Sequence, residues 1–181
     1  MNTGNLPPEF QFLRSAAGAL ITIVVALASL FITLIWAGKP GQKERWLAVG
    51  AATLTSLLVI AITIIAVVMR WWQGAFFTSI PFWVIAAIYV PFSIAGYTLW
   101  LGLYRWLARK TRRAWLIYAF IVLAFIPVVL IVDPIQMQRD QFTMGGGYTV
   151  WADTLVGQIV MASPVFFYEL LRRKARIIEE R

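Results

Sequence analysis

The chain has 181 residues, of which 61% are hydrophobic and 13% charged, where a soluble domain carries roughly 45–50% and 25%. With a mean hydropathy of +0.77, this much apolar surface cannot be enclosed in a soluble core, because small domains have too much surface for their volume. Composition therefore excludes a soluble enzyme and a disordered chain, and it indicates an all-α integral membrane protein.

A bilayer core of about 30 Å needs roughly 20 apolar helical residues to cross it. Five runs meet that length: 15–37, 47–69, 80–104, 114–132 and 149–171. The expectation is a five-span transmembrane helix bundle covering 15–171, preceded by a short segment, 1–14, and followed by a basic tail, 172–181. The runs are too long and too continuous for strands, which alternate with period two. The first run is too long for the apolar part of a cleaved signal peptide, and only Arg14 precedes it as a basic residue. The first four runs contain no charged residue, whereas the fifth holds Asp153 near its start and Glu169 near its end.

Lys and Arg fall unevenly between the spans. Segment 38–46 carries Lys39, Lys43 and Arg45; segment 105–113 carries Arg105, Arg109, Lys110, Arg112 and Arg113; the tail carries Arg172, Arg173, Lys174, Arg176 and Arg181. With five spans, these three, five and five residues share one side, and only Arg14, Arg70 and Arg139 lie on the other. Cytoplasmic segments are enriched in Lys and Arg, so the N-terminus is expected outside and the C-terminus in the cytoplasm. The net charge of +8 is thus a topology signal, and nucleic acid is not expected as a partner. The nine Trp lie near the ends of the runs, as in the aromatic belts that anchor spans at headgroup level.

Small residues mark the expected helix contacts. In the first span Gly18, Thr22, Ala26, Ser29, Thr33 and Ala37 recur at helical spacing on one face. The second span repeats the pattern more weakly through Ala48, Ala52, Thr55, Val59, Thr63 and Ala66. Such stripes let backbones approach closely in lipid, and the two are expected to face each other or another helix. Pro91, Pro127 and Pro164 interrupt the third, fourth and fifth spans. Each frees a backbone carbonyl that a nearby Ser93 or Ser163 can satisfy.

The candidate sites are few. The chain has no Cys and no His, which removes thiolate nucleophiles, Fe–S and zinc ligands, and the usual axial ligand of haem. No cofactor and no metal are expected, and no catalytic residue is assigned. On the fifth span Asp153, Thr154, Gly157, Gln158 and Met161 share a broad polar face that Tyr168 continues. Carboxylates within membrane helices are functional candidates. Asp153 sits at the outer headgroup level, capping or pairing with Arg70 or Arg139, or lies on an interior seam that binds a cation, a proton or a polar substrate, or contacts a partner subunit. The glycines 145–147 precede this helix without the Lys and hydroxyl of a P-loop, and read as a turn. In segment 133–148, Asp133 and Asp140 lack the fixed spacing that acid–base chemistry requires. The basic residues Arg105, Arg109, Lys110, Arg112, Arg113, Arg172, Arg173 and Lys174 are candidates for contact with anionic lipid headgroups or a partner protein.

Three functions remain open from sequence. The first is a non-catalytic accessory or structural subunit of a larger complex, in contact with other membrane subunits in a bacterial inner membrane. The second is a small carrier, channel or lipid-binding protein that uses the polar face of the fifth span. The third is a lipid-modifying enzyme at the outer face.

Overall fold

The computed structural model describes residues 15–39, 43–73, 80–111 and 143–179, together with the isolated helical positions 115, 119, 123, 126 and 130. Four long helices form the frame: α1 (Ala16–Ala37), α2 (Lys43–Val68), α3 (Phe82–Lys110) and α4 (Val150–Glu179). All four are long and apolar enough to cross a membrane. They correspond to the first, second, third and fifth expected spans. Most of the fourth, 114–132, lies outside the described residues, as do segment 1–14, Arg112, Arg113, Pro127, Asp133, Arg139 and Asp140.

At one end of each of three spans the backbone continues past the edge of the apolar run. α2 starts at Lys43, α3 runs on to Lys110, and α4 reaches Glu179 through the basic tail. Hydropathy measures the surrounding solvent, whereas a helix continues wherever its internal hydrogen bonds do. Ser15 starts α1, its hydroxyl accepting from the Gly18 N–H at 2.9 Å, and so takes one of the orphan donors at a helix start. At the other end of α1 the Arg45 guanidinium donates to the Trp36 carbonyl at 2.8 Å and lies 4.3 Å from the Trp36 ring. A cation from α2 thus covers the negative end of the preceding helix.

α2 is central. It runs antiparallel to the other three helices and packs broadly on both α3 and α4. The small residues Ala48, Ala51 and Ala52 are all but fully buried there. Ala48 and Ala51 meet Leu101 and Tyr104 of α3 and Val165 and Tyr168 of α4 in one cluster. Val49 and Ala52 join Ala37 and Ile94 in a second. α3 and α4 touch sparingly, meeting around the first of these clusters.

The stripe on α1 is the buried side of that helix: Gly18, Ala26 and Ala37 are its buried residues. Its principal neighbour is α3, and it meets α2 only sparsely. The two small-residue stripes therefore do not zip into a hairpin; of the two arrangements expected, contact with another helix is the one formed. The hydroxyls of the α1 stripe bond within their own helix: Thr22 donates to the Gly18 carbonyl, Ser29 to Ala26 and Thr33 to Ser29 at 2.7–2.8 Å. The rest of α1 is largely apolar surface, with Leu20, Ile21, Val24, Phe31, Ile32 and Ile35 each more than half exposed.

Two neighbouring hydroxyls of α2 link it to both flanking helices near mid-helix. Ser56 Oγ accepts from Ser93 of α3 at 2.7 Å and donates to the Ala52 carbonyl at 2.8 Å. Thr55 Oγ1 lies 3.3 Å from Ser163 Oγ of α4. Ser163 is also 2.8 Å from the Val160 carbonyl, the group whose helical donor Pro164 removes. The expected rescue of a proline-freed carbonyl is present at Pro164. At Pro91, Ser93 instead reaches the Val90 carbonyl at 3.1 Å, one turn position away from the freed group.

Beyond the helices the described residues form one small sheet, which the spans did not foreshadow. β1 (Trp72–Gln73) pairs antiparallel with β2 (Thr143–Met144), Trp72 opposite Met144. The turn after it uses positive φ at Gly146 and Gly147. A side chain on Gly146 would come within 2.9 Å of the Met69 carbonyl oxygen. The backbone fold there requires glycine for space as well as for φ.

Candidate functional sites at the two ends of the bundle

The antiparallel course of α2 sorts the polar side chains into two groups. At one end stand the start of α4 and the β1–β2 ladder. At the other, the start of α2 meets the ends of α1, α3 and α4, and the described basic residues of three separate segments converge there.

Asp153 lies in the first turn of α4, where the helix dipole favours a carboxylate. Its Oδ1 accepts from the Trp72 indole N–H at 3.1 Å and from the Tyr148 hydroxyl at 3.0 Å. Tyr148 in turn stacks on Trp71, ring centroids 5.2 Å apart, and the Gly145 N–H donates to the Trp71 carbonyl at 2.9 Å. Asp153 thus ties the segment after α2 to the start of α4. One sequence reading paired it with Arg70 or Arg139. Among the described residues its donors are neutral, and Arg70, at φ 56°, shapes the turn with its backbone. Arg139 lies outside the described residues. The cap of α4 is a different residue, Thr149, whose hydroxyl accepts from the Ala152 N–H at 3.2 Å.

The rest of the proposed seam on α4 is not gathered around Asp153. Thr154 is buried and donates to the Val150 carbonyl at 2.9 Å. Gln158 has both amide atoms buried without a hydrogen-bond partner among the described residues, an arrangement that costs about 1–3 kcal/mol. Gly157 lies between them on α4. Tyr168 belongs to the opposite end, buried in the cluster of α2, α3 and α4.

At the basic end Glu44, in the first turn of α2, pairs with Arg105 and lies 3.7 Å from Arg109. The Arg105 guanidinium, largely buried, also stands 5.8 Å from the Tyr168 ring centroid. Glu169 is 3.6 Å from Arg172, and Lys110 lies 4.2 Å over the Trp106 ring. These groups surround a cleft of about 340 Å³ lined by Glu44, Tyr104, Arg105, Arg109, Tyr168 and Arg172 among others. Sequence reasoning singled out Arg105, Arg109 and Arg172 as a charge count but missed Glu44, which organises two of them. The signal was an acidic residue between Lys43 and Arg45 at a helix start. Arg173 lines an adjoining cleft, and Lys174 is exposed.

No group of three or more His, Asp or Glu suited to a metal ion occurs among the described residues. The three carboxylates whose side chains are described, Glu44, Asp153 and Glu169, all stand toward helix ends with named partners. No family model, curated protein or solved structure matches the chain.

Proposed function

We propose that the protein is a non-catalytic, five-span accessory subunit of a larger complex in a bacterial inner membrane, with its N-terminus outside and its C-terminus in the cytoplasm. The observation that carries this reading is the placement of the charged side chains. The described Asp, Glu, Lys and Arg stand toward the ends of the helices, and the central hydroxyls of Thr55, Ser56, Ser93 and Ser163 bond to neighbouring helices or to backbone. Asp, Glu, Lys or Arg at depth mark proton and ion routes, and a rigid frame needs none. The broad apolar face of α1 supports the same reading, since it offers a long surface to a neighbouring membrane subunit. The span count rests on the two ends of the bundle: the chain is at the basic end at Lys110 and at the opposite end by Thr143, which calls for one further crossing between them.

Two experiments test the proposal. The chain lacks Cys, so single-cysteine variants at Thr149 and Lys174 report sidedness without background. Thr149→Cys should react with an impermeant maleimide in intact cells, and Lys174→Cys only after permeabilisation; the reverse pattern refutes the orientation. Size in mild detergent should exceed that of one chain with its micelle and contain a second, stoichiometric polypeptide. A monodisperse monomer or homo-oligomer that conducts solute in proteoliposomes favours the carrier reading.

A further inference from the structure

The charged cleft of about 340 Å³ at the basic end lies beside a second cleft of about 340 Å³ walled by Trp115, Val165, Phe166 and Leu170. Tyr104 and Glu169 line both, so a charged compartment and an apolar one share a wall. In the charged cleft three guanidiniums face two carboxylates, which leaves an excess of positive charge. Arg105 is bound to Glu44. Arg109 and Arg172 approach their carboxylates only to 3.7 and 3.6 Å, longer than a hydrogen bond. Each guanidinium carries five N–H donors in a planar fork that matches phosphate oxygens, so both retain donors for a further anion.

The geometry points to a binding site for one anionic phospholipid, its phosphate between Arg109 and Arg172 and an acyl chain along Val165, Phe166 and Leu170. Phe166 and Leu170 are 61% and 40% exposed, apolar surface that an acyl chain covers. The level is right for a lipid, because the apolar runs of α3 and α4 give way to charge beside Tyr104 and Leu171, where headgroups meet the hydrocarbon. Free phosphate would use the same guanidiniums and leave the apolar groove empty. The site depends on the chain being embedded in a membrane and not on its being a subunit. Its failure therefore leaves the subunit reading intact, and the converse also holds.

The test uses the full chain, purified in detergent and delipidated, titrated at physiological ionic strength with dioctanoyl phosphatidylglycerol, dioctanoyl phosphatidylcholine or inorganic phosphate. Native mass spectrometry counts the adducts. Phosphatidylglycerol should saturate at one molecule per chain and outcompete both other probes. An Arg109→Gln/Arg172→Gln double variant should bind it roughly tenfold more weakly, since two charge-assisted contacts are lost. Lys39→Gln/Arg176→Gln, which removes the same charge at exposed positions outside the cleft, should leave binding unchanged. Leu170→Gln should weaken phosphatidylglycerol while leaving phosphate unaffected. Equal loss in both double variants reduces the effect to diffuse surface charge and overturns the site. Phosphate binding as well as the lipid, with no effect of Leu170→Gln, overturns the acyl groove. If the arginine variant does not fold, the wild-type titration decides: uptake without saturation, or phosphatidylcholine binding equally well, refutes the proposal.

Discussion

Replacing Asp153 with Asn keeps an oxygen where Trp72 and Tyr148 donate and removes only the charge. Hydrogen bonds to a charged acceptor contribute about 1.5–3 kcal/mol against about 0.5–1.5 for neutral ones, so each contact should lose about 1 kcal/mol. Loss of the carboxylate from the first turn of α4 removes about 0.3–1 kcal/mol more. Asp153 is only half-buried, and water compensates part of the loss, so the net destabilisation should be about 1–2 kcal/mol. Reversible unfolding in mixed micelles, followed by Trp fluorescence, measures it. Combining Asp153→Asn with Trp72→Phe in a double-mutant cycle isolates the contact across 81 residues of chain, and the coupling should be about 0.5–1.5 kcal/mol. Zero coupling would refute the brace. So would an Asp153→Asn protein of wild-type stability that has lost solute flux in proteoliposomes, because the charge would then serve transport.

Ala26→Leu forces new volume into a fully buried position on α1 and should cost about 1–3 kcal/mol by overpacking, read as lower abundance and a lower unfolding midpoint. Ser29→Leu, at a partly buried position, should cost less. Gly146→Ala meets both the left-handed backbone at φ 61° and the Met69 carbonyl, and should lose at least about 1–2 kcal/mol; proteolysis near the β1–β2 turn is the sensitive readout. Gln158→Met removes a buried, unpartnered amide and should stabilise the fold by about 1 kcal/mol. A lower midpoint for that variant would show that the amide does have a partner in the folded protein.

The membrane class and the four described helices were legible because apolar length is a one-dimensional signal. The small-residue face of α1 was legible for the same reason: Gly18, Ala26 and Ala37 recur at helical spacing. Which helix that face meets was not, since Ala and Gly fit against any backbone and carry no address. The partners of Asp153 were missed for a related reason. Arg70 and Arg139 attracted attention by charge, whereas Trp72, which donates to Asp153, looked like one more belt aromatic. Its indole N–H reaches Asp153 only because the β1–β2 ladder brings together segments far apart in the chain. Ser56 carried no sequence mark and Ser93 was marked only by its nearness to Pro91, and their bond depends on the register between α2 and α3.

The order in which the helices are made sets a consequence of α1 docking on α3 rather than on α2. At about 5–20 residues per second, the roughly 60 residues from the end of α1 to the middle of α3 take about 3–12 s to synthesise. During that interval α1 has crossed the bilayer with its glycine and alanine seam unmatched by the helix next to it. Insertion of this chain is therefore a waiting problem: the first helix must be kept nearby until the third arrives, by the short link to α2, by lipid, or by the insertion machinery itself.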